Sequence, residues 1–348
     1  MGTVIEPVKF GTVIGTKPSM SYALRRAVVV LAIAVAIAVL PHVLLQPHTE
    51  YHVKRSAVLI TGASSGIGRA AALALLEQGF IVYAGVRDET TAHELAKKHG
   101  PRLRPLMLDV TNPIDIANAF ANITASAQVA GGGTLVGLVN NAGTTYKRPL
   151  ETAKLEKVRA LFDVNVLGVL AVTQAFLPLL RRARGRVVNI GSVHGIISMP
   201  MQGPYSATKH ALEALSDTLR QELAPLGVSV SLVSPGYIHT AIRDKGSPLQ
   251  ANASLTDIER RVYYELFEAL WSKDVKHREL APACCPQTDA AIVHALTHPY
   301  PRTRYYPSTA SVILGDWFPA SAAAFIIRLF SVHPSLDRVR DSILARFA

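Results

Sequence analysis

Ala57-Val58-Leu59-Ile60-Thr61-Gly62-Ala63-Ser64-Ser65-Gly66-Ile67-Gly68 is the stretch that decides the fold. A short apolar run enters a glycine-rich turn, and a helical pattern, Gly66 to Gln78, leaves it. Gly62 permits a tight turn off a strand. Gly66 lets backbone approach a pyrophosphate, and Gly68 lets the helix pack close to the sheet. The helix start offers unpaired N–H groups and the positive end of its dipole to phosphates. A glycine triplet alone is also an ordinary turn. The strand before and the helix after supply the context that a dinucleotide-binding turn requires. Ser64, Ser65 and Ile67 belong to the same loop.

Outward from this turn, apolar runs alternate with helical patterns. Ala57 to Ile60, Ile81 to Val86, Leu103 to Leu108, Leu135 to Val139, Arg186 to Ile190 and Val228 to Val233 read as strands. They are short and nearly continuous in hydrophobicity, as parallel strands covered on both faces are. Helices are expected at Thr91 to His99, Pro113 to Ala125, Leu155 to Arg182 and Tyr205 to Leu223. The alternation implies an α/β fold with a Rossmann-like, doubly wound parallel sheet. Residues 55–348 are expected to form a single catalytic domain, with no solenoid-period repeat.

The second strand runs into Val86-Arg87-Asp88. An acidic residue at this strand end would hold the ribose 2′-hydroxyl of NAD and repel a 2′-phosphate. The aligned position, Val86, is neutral, and the Arg87 guanidinium suits a 2′-phosphate by charge and fork geometry. NADP(H) is therefore favoured over NAD(H). The alternatives are Arg87 as a solvated loop charge, or Asp88 taking the acidic role one place late.

Tyr205 and Lys209 lie four apart on an expected helix and share a face. A free phenol titrates near pH 10, and a neighbouring ammonium favours its phenolate. Lys209 is thus expected to tune Tyr205 as acid/base, and the Ser192 hydroxyl to hold a substrate oxygen beside it. Ser192 stands thirteen residues upstream of Tyr205. With Asp109-Val110-Thr111, Asn140-Asn141-Ala142-Gly143, Asn165, and Pro235-Gly236 with Thr240, these motifs resemble the short-chain dehydrogenases/reductases, from about Ser56 onward.

That resemblance implies an NAD(P)-dependent oxidoreductase acting on CH–OH groups. Ser192, Tyr205, Lys209 and Asn165 would be catalytic, Lys209 also bonding the nicotinamide ribose and Asn165 anchoring a water relay. It further implies that Asp109 and Val110 hold the adenine, while Asn140, Ala142 and Gly143 line the cofactor channel. Pro235, Gly236 and Thr240 would border the carboxamide. Asn141 is expected to be structural. His194 and His210 are expected to pack or be exposed, and no residues stand at metal-ligand spacing. Homodimers paired through the helices carrying Asn165 and Tyr205 are a further implication.

The 348 residues are 49% hydrophobic and 18% charged, which excludes a disordered chain. Two adjacent cysteines, Cys284 and Cys285, exclude a disulfide scaffold. The net charge of +11 has no Lys/Arg block or zinc spacing behind it, so nucleic acid is not an expected partner. Ala27 to Leu40 is free of polar residues, and Val43 to Leu45 extends it. A helix over this length rises about 28 Å, close to a bilayer's core. Residues 1–24 read as a tail and 25–46 as a transmembrane signal anchor. A cleaved signal peptide or organelle presequence is the alternative. Lys9, Lys17, Arg25 and Arg26 favour a cytosolic N-terminus by a small margin over Lys54 and Arg55. The expected location is single-pass in a membrane, the endoplasmic reticulum first.

Residues 237–280 are expected to cover the substrate. Tyr263, Leu266, Phe267, Leu270 and Trp271 form a helical stripe that suits either a substrate wall or core packing. Gly203 to Ala214, Tyr83 to Asp88 and Pro301 to Tyr305 are similar to the membrane-associated retinol and 17β-hydroxysteroid dehydrogenases. This resemblance implies a lipophilic alcohol or ketone: a retinoid, a steroid or a related lipid. A 3-keto lipid intermediate or a small carbonyl compound is the alternative substrate. A cofactor-binding scaffold or redox sensor is the non-enzyme alternative.

Overall fold

A computed structural model describes residues 26–30, 33, 56–128, 133–236, 238, 256, 257, 259, 261–263 and 286–308. The chain divides into two units, 1–45 and 46–348. In the first, residues 26–30 and 33 are helical and exposed. The rest of the expected 25–46 anchor lies outside the described residues, as do Thr240 and most of 237–280.

In the second unit, seven parallel strands form one sheet in the order β3-β2-β1-β4-β5-β6-β7. They are β1 (Ser56–Ile60), β2 (Ile81–Val86), β3 (Leu103–Met107), β4 (Thr134–Asn140), β5 (Arg186–Ile190), β6 (Ser229–Val233) and β7 (Arg304–Tyr305). Every residue of β1, β2, β5 and β6 is buried, the condition that made their apolar runs continuous. The strand order reverses direction between β1 and β4. In such sheets the ligand crevice opens at the carboxyl ends of the strands at this switch point.

Helices cover both faces: α1 (Gly66–Glu77), α2 (Glu89–His99), α3 (Pro113–Ala127), α4 (Leu155–Phe162), α5 (Gly168–Ala183), α6 (Gly203–Leu223) and α7 (Pro286–Thr297). One core cluster joins Leu75, Phe80, Val139 and Ile292. A second joins Leu59, Tyr83, Val172 and Phe176. The stretch Leu155–Ala183 is long and apolar enough to cross a membrane by composition. Here it covers the sheet, with Val172, Phe176 and Leu180 fully buried.

Sequence and structure differ in three places. The single helix expected at 155–182 runs from Leu155 to Ala183, with an unanticipated π-helical turn, Asp163–Leu167, inside it. At its end a Cβ on Gly168 would stand 2.7 Å from the Val110 side chain, so only glycine lets this turn sit against β3's exit. Strand β7 and helix α7 were not anticipated. The buried stripe Thr288, Ala291, Ile292, Ala295 and Leu296 has the helical period that would have revealed α7.

Candidate active site

The glycine turn after β1 is locked from two sides. The Thr61 hydroxyl accepts from the amides of Asn141 (3.0 Å) and Ala142 (2.9 Å). The Asn141 amide donates to the carbonyls of Thr61 (2.9 Å) and Gly62 (3.0 Å), the structural role expected of it. A Cβ on Gly68 would lie 2.4 Å from the Gly62 carbonyl oxygen, so α1 approaches the turn as closely as glycine allows. Gly62 and Gly66 have φ of 66° and 55°, the left-handed region. No side chain caps α1 at Ser65, so its first N–H groups face the cleft uncapped. The turn therefore fits a dinucleotide pyrophosphate.

A cleft of about 530 Å³ runs across the carboxyl ends of the strands. At one end Gly62, Ser64, Ser65, Gly66 and Ile67 line it, followed by Arg87, Asp109 and Val110. Further along come Ala142 and Gly143, then Ser192, Tyr205 and Lys209, with Pro235 and Gly236 beyond. Three expected residues do not line it. Gly68 acts from behind, through helix packing. Asn140 is a correction: its amide donates to Thr173 Oγ1 and Asn189 Oδ1, both at 2.9 Å, inside the core. Asn165 sits in the π-helical turn and is buried. Its Oδ1 accepts from the Thr144 amide (2.8 Å), and its Nδ2 donates to Thr144 O (2.9 Å) and Thr208 Oγ1 (3.1 Å). It staples the cleft loop to α6.

At the adenosine end, the Arg87 guanidinium lies 3.9 Å from the Asp109 carboxylate. Burial opposes ionisation of Asp109. Hydrogen bonds from Thr111 and the nearby Arg87 outweigh it and hold its pKa low. Asp88 is committed elsewhere: its Oδ1 accepts from the Thr91 amide at 2.7 Å and caps α2.

At the other end, Tyr205 and Lys209 share one face of α6. Lys209 Nζ donates to Ile190 O (2.8 Å) and stands 5.8 Å from the Tyr205 ring centroid. Burial pushes the Lys209 pKa down to about 8. Burial also raises the Tyr205 pKa, opposed by a hydrogen bond with Ser192. The direction is opposite to the lowering expected from Lys209, because the phenol is desolvated in a buried site. Ser192 ends β5's exit and caps the turn Val193–Gly195, accepting from the His194 amide at 3.2 Å. Sequence reasoning missed His194, Gln202 and the loop Thr144–Lys147 as cleft walls. Only the position of His194 two residues past Ser192 hinted at one of them.

Residues 56–250 match the family model of the short chain dehydrogenases. Mouse retinol dehydrogenase 5 is 38% identical over 272 residues, which span 76% of this chain and 83% of that one. Rat mitochondrial D-beta-hydroxybutyrate dehydrogenase is 37% identical over 267 residues, 72% of this chain and 76% of its own. A short-chain dehydrogenase from Streptomyces avermitilis superposes with a TM-score of 0.63 at 29% identity, covering 82% of this chain and 98% of that one. The chain belongs to the short-chain dehydrogenase/reductase family. Within it, the chain is an NAD(P)-dependent oxidoreductase of CH–OH groups, similar to retinol and hydroxybutyrate dehydrogenases.

Proposed function

We propose that this enzyme interconverts a lipophilic alcohol and its ketone or aldehyde with NADP(H), at a membrane. The observation that carries the reading is the convergence of Ser192, Tyr205 and Lys209 on the cleft that the glycine turn enters. The bound nicotinamide supplies or accepts the hydride. Every other task belongs to side chains. In reduction, the Tyr205 hydroxyl gives its proton to the carbonyl oxygen as that oxygen gains charge. Ser192 donates to the same oxygen and fixes the carbonyl beside the phenol. Lys209 then stabilises the phenolate left behind and returns a proton to it; Asn165 holds the loop and α6 in register. Oxidation is the reverse.

Three features support the cofactor preference. Val86 is neutral, Arg87 lines the cleft beside Asp109, and the Asp88 carboxylate is occupied as a helix cap. A 2′-phosphate would compete with Asp109 for the same guanidinium. Leu161, Val164 and Ile238 in the cleft wall support an apolar substrate. The exposed Val28, Val29, Val30 and Ile33 in the N-terminal helix support a single-pass anchor, read as endoplasmic reticulum. Exposed Leu155 and Leu167, beside the helices named for pairing, support a homodimer.

A second reading, a 3-keto lipid or small carbonyl compound as substrate, is favoured by the polar His194 and Gln202 in the same wall. The test is turnover by the full chain in detergent. NADPH and NADH are offered with retinal, steroid ketones, 3-keto lipids and short aldehydes. NADPH-dependent reduction of one lipophilic class is expected. Preference for NADH would remove the Arg87 argument, and turnover of short aldehydes alone would remove the lipophilic one.

A further inference from the structure

His194 is a cleft residue whose two ring nitrogens have different fates. Nδ1 lies 3.1 Å from the Ser206 hydroxyl. The ring meets Tyr205 edge-on, with centroids 5.4 Å apart. Nε2 makes no hydrogen bond among the described residues, and the ring is part of the cleft wall.

Ser206 settles the tautomer. Its side chain is buried, and among the described residues its hydroxyl has one hydrogen-bonding neighbour, His194 Nδ1. A buried hydroxyl proton needs an acceptor. Nδ1 is the acceptor at hand, so it carries no proton and the ring proton sits on Nε2. Burial, with Lys147, Lys209 and His210 nearby, pushes the His194 pKa down to about 4, so the ring is neutral at ordinary pH. The result is a fixed, uncharged N–H donor in the wall of the cleft. It is separate from Ser192 and Tyr205, which serve the reacting oxygen.

We propose that His194 is a specificity-determining donor, held as its Nε2–H tautomer by Ser206, which selects substrates carrying a second acceptor oxygen close to the reacting carbon. The substrate class is then a keto or hydroxy compound with a neighbouring carbonyl, ester or hydroxyl oxygen. This rests on the oxidoreductase reading and deepens it. It chooses the oxygenated members of the lipophilic class over those with one oxygen. A donor that substrate covers without giving it an acceptor penalises that substrate, which is how a polar site discriminates strongly.

The experiment compares two ketones of equal chain length, one plain and one with a 3-ester oxygen, in wild type, His194→Phe and His194→Gln. Phenylalanine keeps the ring contact with Tyr205 and removes the donor. Glutamine restores an N–H near the Nε2 position. Wild type is expected to favour the oxygenated ketone by at least tenfold in kcat/KM. That ratio should fall about tenfold or more in His194→Phe and recover in His194→Gln. An unchanged ratio, or an equal loss on both ketones, would overturn the proposal. A tautomer measurement stands apart from turnover: ¹⁵N-histidine NMR of wild type and Ser206→Ala, with His194→Gln assigning the signal. An unprotonated Nδ1 that responds to Ser206→Ala is expected, and a protonated Nδ1 would overturn the assignment. If wild type turns over no ketone but the tautomer is Nε2–H, the lipophilic-ketone reading fails and the donor assignment stands.

Discussion

Lys209 is held at a cost. Its ammonium is buried, donating to Ile190 O, and burial lowers its pKa from 10.5 to about 8. Between those values the unfolded chain binds more protons than the folded one, so stability from this group rises with pH across that window. Below about pH 8 the folded protein carries the full penalty. Lys209→Met removes it, together with the donor that turnover needs. Relative to Lys209→Met, wild type should therefore gain melting temperature as pH goes from 7 to 10, while the variant has lost activity. A constant difference across that range would show that Lys209 is not desolvated. Arg87 offers a second test at this scale. A charge-assisted hydrogen bond contributes about 1.5–3 kcal/mol, so Arg87→Ala should raise the KM for NADPH about tenfold or more and leave NADH nearly unchanged.

At the scale of elements, the glycine turn tolerates little. A Cβ at position 68 would overlap the Gly62 carbonyl, which is backbone and cannot swing aside. Gly68→Ala should destabilise the fold by about 1–3 kcal/mol in urea titration and weaken dinucleotide binding as well. Asn112 caps α3, its Oδ1 accepting from the Ile114 amide at 3.0 Å. Asn112→Ala should cost about 1 kcal/mol without touching binding, which separates a loss of helix from a loss of site. Strands β1 to β6 and the turn after β1 were legible because their signals are local: short, nearly continuous apolar runs, and glycines at fixed offsets. The π-helical turn was not, because it depends on Gly168 meeting Val110, a contact between positions 58 apart in sequence. Two-residue β7 is too short to carry a period. The burial of Tyr205 was not legible for a related reason, since spacing shows which groups share a face and not how deeply they are buried.

Across the whole molecule, the cleft depends on a sheet whose last strand and helix come from far along the chain. Arg186, buried in β5, donates through Nη1 to Ala295 O (3.0 Å) and His298 O (2.6 Å) at the end of α7. Arg304 of β7 bonds Glu213 and Asp217 of α6, the helix that carries Tyr205 and Lys209. Removing a buried hydrogen-bond donor leaves its acceptors unsatisfied and costs about 1–3 kcal/mol. Arg186→Met should therefore lower stability by that order and speed hydrogen exchange in residues 286–297 before the central strands. These ties, like the core packing of Asn140, join residues distant in sequence and were not readable from it.

The central claim is that Tyr205 supplies the proton for hydride transfer in this cleft. Its most direct test is transfer of deuterium from NADPH labelled at the nicotinamide C4 position to a ketone that the full chain reduces, in wild type and Tyr205→Phe. The account predicts an alcohol carrying deuterium at the carbinol carbon in wild type. It also predicts a rate at least a hundredfold lower in the variant, with NADPH binding retained. Equal rates in the two proteins, or an alcohol without the label, would contradict it.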